Sequence, residues 1–341
     1  MNTFLHIVAV IIGLIGLFIY FRSVIRVMLL NWHERDVISH SAGRTAVRIV
    51  RRFTTRGVPY EPVQRTHAWI FPLFVILSVV AWFLLVQIAF TLILWGVNAE
   101  ANLASAFTAS GSALSTLGFK TPPSWLGEFL AIFEGGMGLA IVVLLFSFVP
   151  GYLAAIQVRE RKVGWLYNRT GRHPTCISLY DALAASGDIS DAGVWDDWET
   201  WFRGIYETHA TAPILAYVPS IYRGTNWVGA SAAILDLASF LMSVLEPTPA
   251  NPARMCRLCG VRTIKLLADT LQDDAPLEMV PDLPQQMSAA FDKLYDKLVR
   301  SGASVSTDKE KCRETFLALR AEYESSLRQI SSATSMPIEK P

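Results

Sequence analysis

Charged residues are scarce in this sequence. Only 17% of its 341 residues are Asp, Glu, Lys or Arg, while 52% belong to the hydrophobic set. Soluble domains carry roughly a quarter of charged residues, so this shortage excludes an ordinary soluble enzyme. Neither sign of charge predominates, because the sequence has 30 basic and 29 acidic residues. We therefore expect no general attraction to nucleic acid or to an acidic partner.

Cysteines and catalytic motifs are sparse as well. Four cysteines, all located after the last long apolar run, are too few for a disulfide framework. Cys256 and Cys259 form a single Cys-x-x-Cys pair without a second pair nearby, which makes them weak metal candidates beside the alternative of buried thiols. The sequence has no P-loop, no dinucleotide-binding glycine motif and no nucleophile elbow, so we expect neither an enzyme nor a bound organic cofactor.

Three long apolar runs are present, near residues 4–21, 68–97 and 129–158. Each is long enough to cross a membrane as a helix at about 1.5 Å per residue. A cleaved signal peptide carries its basic residues before the apolar core, whereas Arg22 and Arg26 follow the first run. The sequence therefore favours a retained first helix over a signal peptide.

The distribution of arginine indicates the topology. Residues 33–67 hold seven arginines against three acids, whereas residues 98–127 hold one Lys and one Glu. The positive-inside rule places the N-terminus outside and the C-terminal region in the cytoplasm of a multi-pass plasma-membrane protein. The predicted domains are 1–31, an N-terminal transmembrane helix; 32–67, a basic cytoplasmic linker; 68–158, a pore domain; and 159–341, a helical cytoplasmic domain. The arginines at 44, 48, 51 and 52 recur at helical spacing and could lie on anionic lipid heads, although positive-inside topology alone would also produce this pattern.

The segment between the second and third runs is too polar to cross a membrane and too apolar for a free loop. Asn98 is a candidate N-cap, and Ala101–Leu114 is predicted to form a helix of about 20 Å, half a bilayer in length. Irregular backbone after such a helix is tolerated in a membrane only inside protein or along a water-filled path. The pattern predicts a re-entrant helix and loop.

The residues that follow are Ser115-Thr116-Leu117-Gly118-Phe119. They resemble the filter of the two-helix potassium channel superfamily, Thr-Thr-Val-Gly-Tyr/Phe-Gly-Asp. Phe107 stands twelve residues before Phe119, as an aromatic does in that family, and the start of the third run looks like the family's inner helix. The resemblance covers residues 68–158. It departs from the family at Lys120 and Thr121, which replace Gly and Asp.

This resemblance implies an all-α membrane protein with three transmembrane helices, a re-entrant pore helix and a filter per subunit, and an all-helical cytoplasmic domain. It also implies a homotetramer surrounded by lipid, with potassium ions held by backbone carbonyls of Thr116–Phe119 and with Ser115 and Lys120 at its ends. Four Lys120 amines would repel cations unless they turned aside to carboxylates or lipid phosphates. The alternatives are a small-residue packing segment and, for the whole chain, a non-conducting sensor or scaffold with a degenerate pore fold.

The third run contains further candidate residues. Glu134, an acid in an apolar span, could hydrogen-bond behind the pore helix, which we favour, or face the cavity. The third run also contains four glycines and a proline, which indicate either a gating hinge or close helix packing, with equal support for each. These residues are Gly135, Gly136, Gly138, Pro150 and Gly151.

Apolar residues recur at helical spacing through the C-terminal part. They predict six helices, near 177–187, 191–209, 226–246, 253–272, 284–301 and 307–332, the last with a capping box at Thr307–Glu310. An aromatic stripe is expected to be core or a subunit contact rather than a ligand site. It consists of Trp195, Trp198, Trp201 and Phe202. This domain is expected to assemble or gate the pore, with an unidentified ligand or protein as a possible partner.

Overall fold

A computed structural model of the chain describes residues 2–28, 36–54, 59–245, 252–271, 284–303 and 305–339. Every regular element in these ranges is a helix, as the sequence predicted. The α-helices are α1 Asn2–Met28, α2 Val37–Arg52, α3 Tyr60–His67, α4 Ile70–Gly96, α5 Leu103–Leu114, α6 Trp125–Thr170, α7 Cys176–Ser186, α8 Ala192–Thr211, α9 Trp227–Val244, α10 Pro252–Thr270, α11 Pro284–Arg300 and α12 Lys309–Thr334.

The helices form two compact units. The first consists of residues 1–50 and 70–153, and the second of residues 51–69 and 154–341. The units therefore divide the chain after residues 50, 69 and 153, whereas the domain borders predicted from the sequence fall after 31, 67 and 158. The predicted border at 31/32 lies outside the described residues.

Within the described residues, four helical stretches are long and apolar enough to cross a membrane, of which the sequence predicted three. The fourth is α9, and 89% of its apolar stretch is buried among other helices of the second unit, whereas 6% of the apolar stretch of α6 is buried. A helix that is apolar on all sides is expected at the centre of a domain as well as in a membrane. The burial explains why α9 is apolar, and the chain is a membrane-associated protein by its other three apolar helices.

In the first unit, α1 and α4 run antiparallel in close contact. A Cβ added to Gly13 would lie 2.7 Å from the Ala89 carbonyl oxygen, and one added to Gly96 would lie 2.7 Å from the His6 carbonyl oxygen. Small residues let two apolar helices approach until their backbones touch, which is the usual basis of helix association in a membrane. The glycines therefore determine where the two helices cross.

A cluster of buried side chains joins α1, α4, α5 and α6. It consists of Tyr20, Val24, Trp82, Val86, Phe90, Leu114, Met137 and Ile141. The indole of Trp82 donates to Ser23 Oγ at 3.0 Å, which satisfies the only polar atom of this large side chain. The end of α5 at Leu114 is thus part of the core of the first unit.

In the second unit, α9 lies at the centre and contacts α7, α10 and α12. The six predicted helices of this part are confirmed, and their ends differ from prediction by at most two residues where they are described. The predicted ends at 246 and 272 lie outside the described residues. The capping box at Thr307 was wrong, because Asp308 is the N-cap of α12 and accepts from the Lys311 amide at 3.0 Å.

The aromatic stripe of α8 is buried in the core of the second unit, which is one of the two positions, core or subunit contact, that the sequence predicted for it. Trp198 and Trp201 meet edge to face with ring centroids 5.2 Å apart, and the Trp201 indole donates to the Arg159 carbonyl oxygen at 3.0 Å. The stripe therefore attaches the last third of α6 to α8.

Candidate functional site

The helix α5 is half as long as a membrane span and begins two residues later than the sequence predicted. Its N-cap is Asn102, whose side chain accepts from the Ser105 amide at 2.9 Å. Asn98, the predicted cap, instead has φ of 56° and ends α4 in a Schellman motif, with the Ala99 amide donating to the Leu94 carbonyl at 2.9 Å. Asparagine tolerates this left-handed backbone better than most residues, which explains the difference.

The backbone after α5 alternates in handedness. Thr116 has φ of 58° and Gly118 has φ of 69°, while Leu117 between them does not have positive φ. A β-branched residue in the left-handed region is strained by about 1–3 kcal/mol, and such strain concentrates at functional sites. The turn is held by amide hydrogen bonds from Thr116 to the Ala113 carbonyl at 2.9 Å and from Gly118 to the Ser112 carbonyl at 3.2 Å.

The side chains of this segment project away from the rest of the chain. Leu117 is 71% exposed and Phe119 is 66% exposed, and Ser115 is also exposed. An added Cβ on Gly118 would meet no atom within 4 Å, so the requirement for glycine here comes from its positive φ and not from crowding. Phe107 on α5 is likewise exposed.

Lys120 is turned back along α5. Its amide donates to Ser112 Oγ at 2.9 Å, and its ammonium donates to the Ser105 carbonyl at 2.8 Å and to Ser105 Oγ. The ammonium also lies 3.4 Å from Glu100 Oε2. The amine thus has a carboxylate partner, which is one of the two destinations that the sequence analysis named for it.

Glu134 lies behind α5. Its side chain is fully buried, and Ser110 Oγ donates to its Oε1. Ser110 Oγ also lies 3.1 Å from the Gln87 carbonyl oxygen of α4. Of the two positions considered for Glu134, the structure places it in the favoured one, where it connects α6 to α5 within one chain.

The glycines of α6 divide into two groups. A Cβ on Gly138 would lie 2.1 Å from the Leu114 carbonyl oxygen, and one on Gly135 would lie 3.2 Å from the Ala113 carbonyl oxygen. These two glycines allow close packing of α6 on the end of α5. In contrast, a Cβ on Gly136 or Gly151 would meet nothing within 4 Å, and Pro150 is exposed within the continuous helix α6.

The cysteine pair on α10 has no third partner among the residues that the structure describes, where no group of three His, Cys, Asp or Glu side chains could hold a metal ion. Cys256 is buried, and the Cys259 thiol donates to the Glu199 carbonyl at 3.7 Å. Burial raises the pKa of the Cys256 thiol well above its usual range, which disfavours the thiolate that a metal needs.

Sequence reasoning did not predict the polar partners of Lys120 and Glu134. It did not pair Glu100 with Lys120, and it singled out neither Ser105 nor Ser110. A signal for the pairing of Glu100 with Lys120 was present, because these two are the only charged residues between positions 98 and 127. No local signal marked Ser110, since its role depends on helices that are distant in sequence.

The fold and site define an all-helical, membrane-associated protein with a strained, exposed turn after a half-length helix. Comparison with family models, curated proteins and solved structures gives no match to this chain.

Proposed function

We propose that the chain is one subunit of a tetrameric membrane channel that passes monovalent cations, with potassium as the expected ion, through the segment Thr116–Phe119. The observation that carries the proposal is the half-length helix α5 between two apolar helices, followed by backbone of alternating handedness at residues 116–118. Alternating backbone directs successive carbonyl oxygens to one side, where they replace the hydration shell of an ion.

The charge distribution supports a cation rather than an anion as the permeant ion. The carbonyl end of α5 lies at Leu114, directly before the segment, and the C-terminus of a helix carries partial negative charge. The strain at Thr116 agrees with the same role, because a backbone held in a costly conformation is pre-organised to bind an ion without rearranging.

The exposed surfaces support assembly. One segment cannot enclose an ion by itself, so several subunits must contribute to one filter. Apolar side chains are exposed at Phe107, Leu117 and Phe119. Only 6% of the apolar stretch of α6 is buried within the chain. Neighbouring subunits and lipid would cover these surfaces, which are too large and apolar to face water.

The experiment that tests the proposal is ion flux from liposomes that contain the purified chain, under potassium, sodium and chloride gradients. Gly118→Ala is expected to abolish cation flux without preventing assembly, because alanine disfavours the positive φ of Gly118. The matched control is Gly171→Ala, since Gly171 also has positive φ, of 80°, and no atom within 4 Å of an added Cβ.

The two variants carry the same backbone penalty, of about 1 kcal/mol, so a difference in flux reports the role of the segment. Loss of flux in Gly118→Ala alone supports the filter assignment, and parent-like flux in that variant contradicts it. No flux from the parent under voltage, pH or calcium steps would instead favour the non-conducting sensor or scaffold.

A further inference from the structure

Lys120 directly follows the segment Ser115–Phe119, a position where a cation channel should not hold a positive charge. Its backbone is tied to Ser112, but its ammonium is at Ser105, seven residues nearer the start of α5. Ser105 precedes Ser112 by seven residues of helix, or about 10 Å along the axis. The side chain therefore extends from the end of the segment toward the N-terminal end of α5.

This position is unfavourable for an ammonium group by itself. The N-terminus of a helix carries partial positive charge, which repels a cation. Glu100 offsets the repulsion, because its Oε2 lies 3.4 Å from Lys120 Nζ and its side chain is only 6% exposed. A charge pair with one nearly buried member is screened less by water and salt than a surface pair.

Ser105 orders the pair. Its hydroxyl donates to Glu100 Oε2, while its carbonyl and its hydroxyl oxygen accept from the ammonium. The ammonium thus donates two hydrogen bonds to Ser105 and forms an ion pair with Glu100 Oε2. Lys120 is still 29% exposed, so without its partner the amine has open space into which to turn.

We propose that Glu100 and Ser105 form a latch that holds the Lys120 ammonium away from the segment Ser115–Phe119, and that this latch determines how readily cations pass the outer end of the pore. The inference rests on the proposed function, since it concerns the regulation of the same segment. In a tetramer four latches act together, and release of four ammonium groups places four like charges around one ion.

The first test measures where the amine is. The purified parent and the Glu100→Gln variant are treated with a membrane-impermeant N-hydroxysuccinimide ester, and modification of the peptide that contains Lys120 is followed by mass spectrometry. Glu100→Gln is expected to react several times faster than the parent, because the amine is no longer held. Equal rates in the two proteins overturn the latch, whatever the flux.

The second test measures the consequence for cation flux in liposomes, using Glu100→Gln, Lys120→Gln and the double variant. Glu100→Gln is expected to lower flux about tenfold or more, since four charges within a few ångströms of the ion path act together. The double variant is expected to recover most of the flux that Glu100→Gln loses and to conduct like Lys120→Gln, because neither protein has an ammonium to release.

Salt provides a readout that a structural defect would not move. The deficit of Glu100→Gln should shrink as ionic strength rises from about 0.01 M to 1 M, because screening shortens from about 30 Å to 3 Å. A double variant as impaired as Glu100→Gln overturns the latch, since Glu100 would then act on folding. If labelling differs between parent and variant while the parent passes no ion, the proposed function is wrong, and the latch as a control of permeation is overturned with it.

Discussion

At the scale of single residues, two glycines of one helix differ in what surrounds them. Gly138 lies against the carbonyl of Leu114, while Gly136, two residues earlier, has open space where a side chain would extend. The pattern Gly-Gly-Met-Gly does not show this difference, because both glycines lie in the same helix and only the position of α5 distinguishes them. The close approach at Gly138 places α6 on the end of α5, two residues before Thr116.

Gly138→Ala is expected to destabilise the first unit by about 1–3 kcal/mol, because an added methyl group would overlap the Leu114 carbonyl oxygen. Thermal unfolding in detergent, followed by tryptophan fluorescence, measures this loss. Gly136→Ala is the matched control, and it is expected to be neutral or to stabilise the helix by up to about 1 kcal/mol. Equal unfolding temperatures for the two variants would contradict the packing described for Gly138.

At the scale of elements, α5 determines where the strained turn lies. The helix is only 12 residues long, so its direction depends on its first turn and on its contacts with α4 and α6. The Ser110 hydroxyl contacts the Gln87 carbonyl and the Glu134 carboxyl group. The Gln87 side chain also lies close to the Gly111 backbone, where an added Cβ would lie 2.9 Å from Gln87 Nε2. Isolated helices of this length are marginal in water, so caps and packing provide most of the stability.

Removing the cap of α5 with Asn102→Ala is expected to cost about 1 kcal/mol, because the Ser105 amide loses its acceptor. Cation flux should fall with it, since the same turn carries the Ser105 groups that hold Lys120. The measurement compares unfolding temperature and liposome flux of Asn102→Ala with those of Asn102→Asp, which keeps a capping oxygen. Parent-like behaviour of the alanine variant would show that packing alone holds α5.

At the scale of the whole molecule, the second unit contains a network of buried polar groups that starts on α6. The Arg159 guanidinium donates to the carbonyls of Leu215 at 3.0 Å and Val218 at 2.8 Å, and it lies 3.2 Å from His209 Nε2. Glu160 pairs with Arg159 at 2.9 Å and accepts from the Ser220 hydroxyl. A buried charge of this kind is tolerated only because each of its donors has a partner.

This network makes stability depend on pH. Burial, together with the neighbouring Arg159, lowers the pKa of His209 well below its ordinary value of 6.5. The folded chain thus keeps His209 neutral where the unfolded chain binds a proton. Stability is therefore fully present above pH 6.5 and should decline below it by up to about 1.4 kcal/mol per pH unit, until the folded state titrates as well.

The measurement is the unfolding midpoint between pH 7.5 and pH 5 in the parent and in His209→Gln. The variant retains a side chain that hydrogen-bonds Arg159 but does not titrate, so its decline with acid should be smaller. The same decline in both proteins would assign the effect to other groups.

Several features could be predicted from the sequence because they depend on local pattern. The long apolar runs predicted α1, α4 and α6, helical spacing predicted the last six helices, and the short polar stretch after residue 97 predicted a half-length helix. The helices α2 and α3 lie in the segment that the sequence predicted only as a basic linker. Less could be predicted at the ends of elements. Asn98, Asn102 and Thr307 are all plausible caps, and the choice among such residues depends on the backbone that the preceding element leaves, which sequence spacing does not encode.

By itself the sequence determined most of the helical segments, the three apolar runs that are long enough for a membrane, and that a glycine-containing turn follows a short helix. It did so because hydrophobicity, helical period and glycine content are properties of neighbouring residues. Only the tertiary structure decided that α9 is a domain core, that Gly138 and not Gly136 is a contact, and that Lys120 is paired with Glu100. These depend on atoms brought together from separate parts of the chain, and therefore on packing distances and partners that no local pattern specifies.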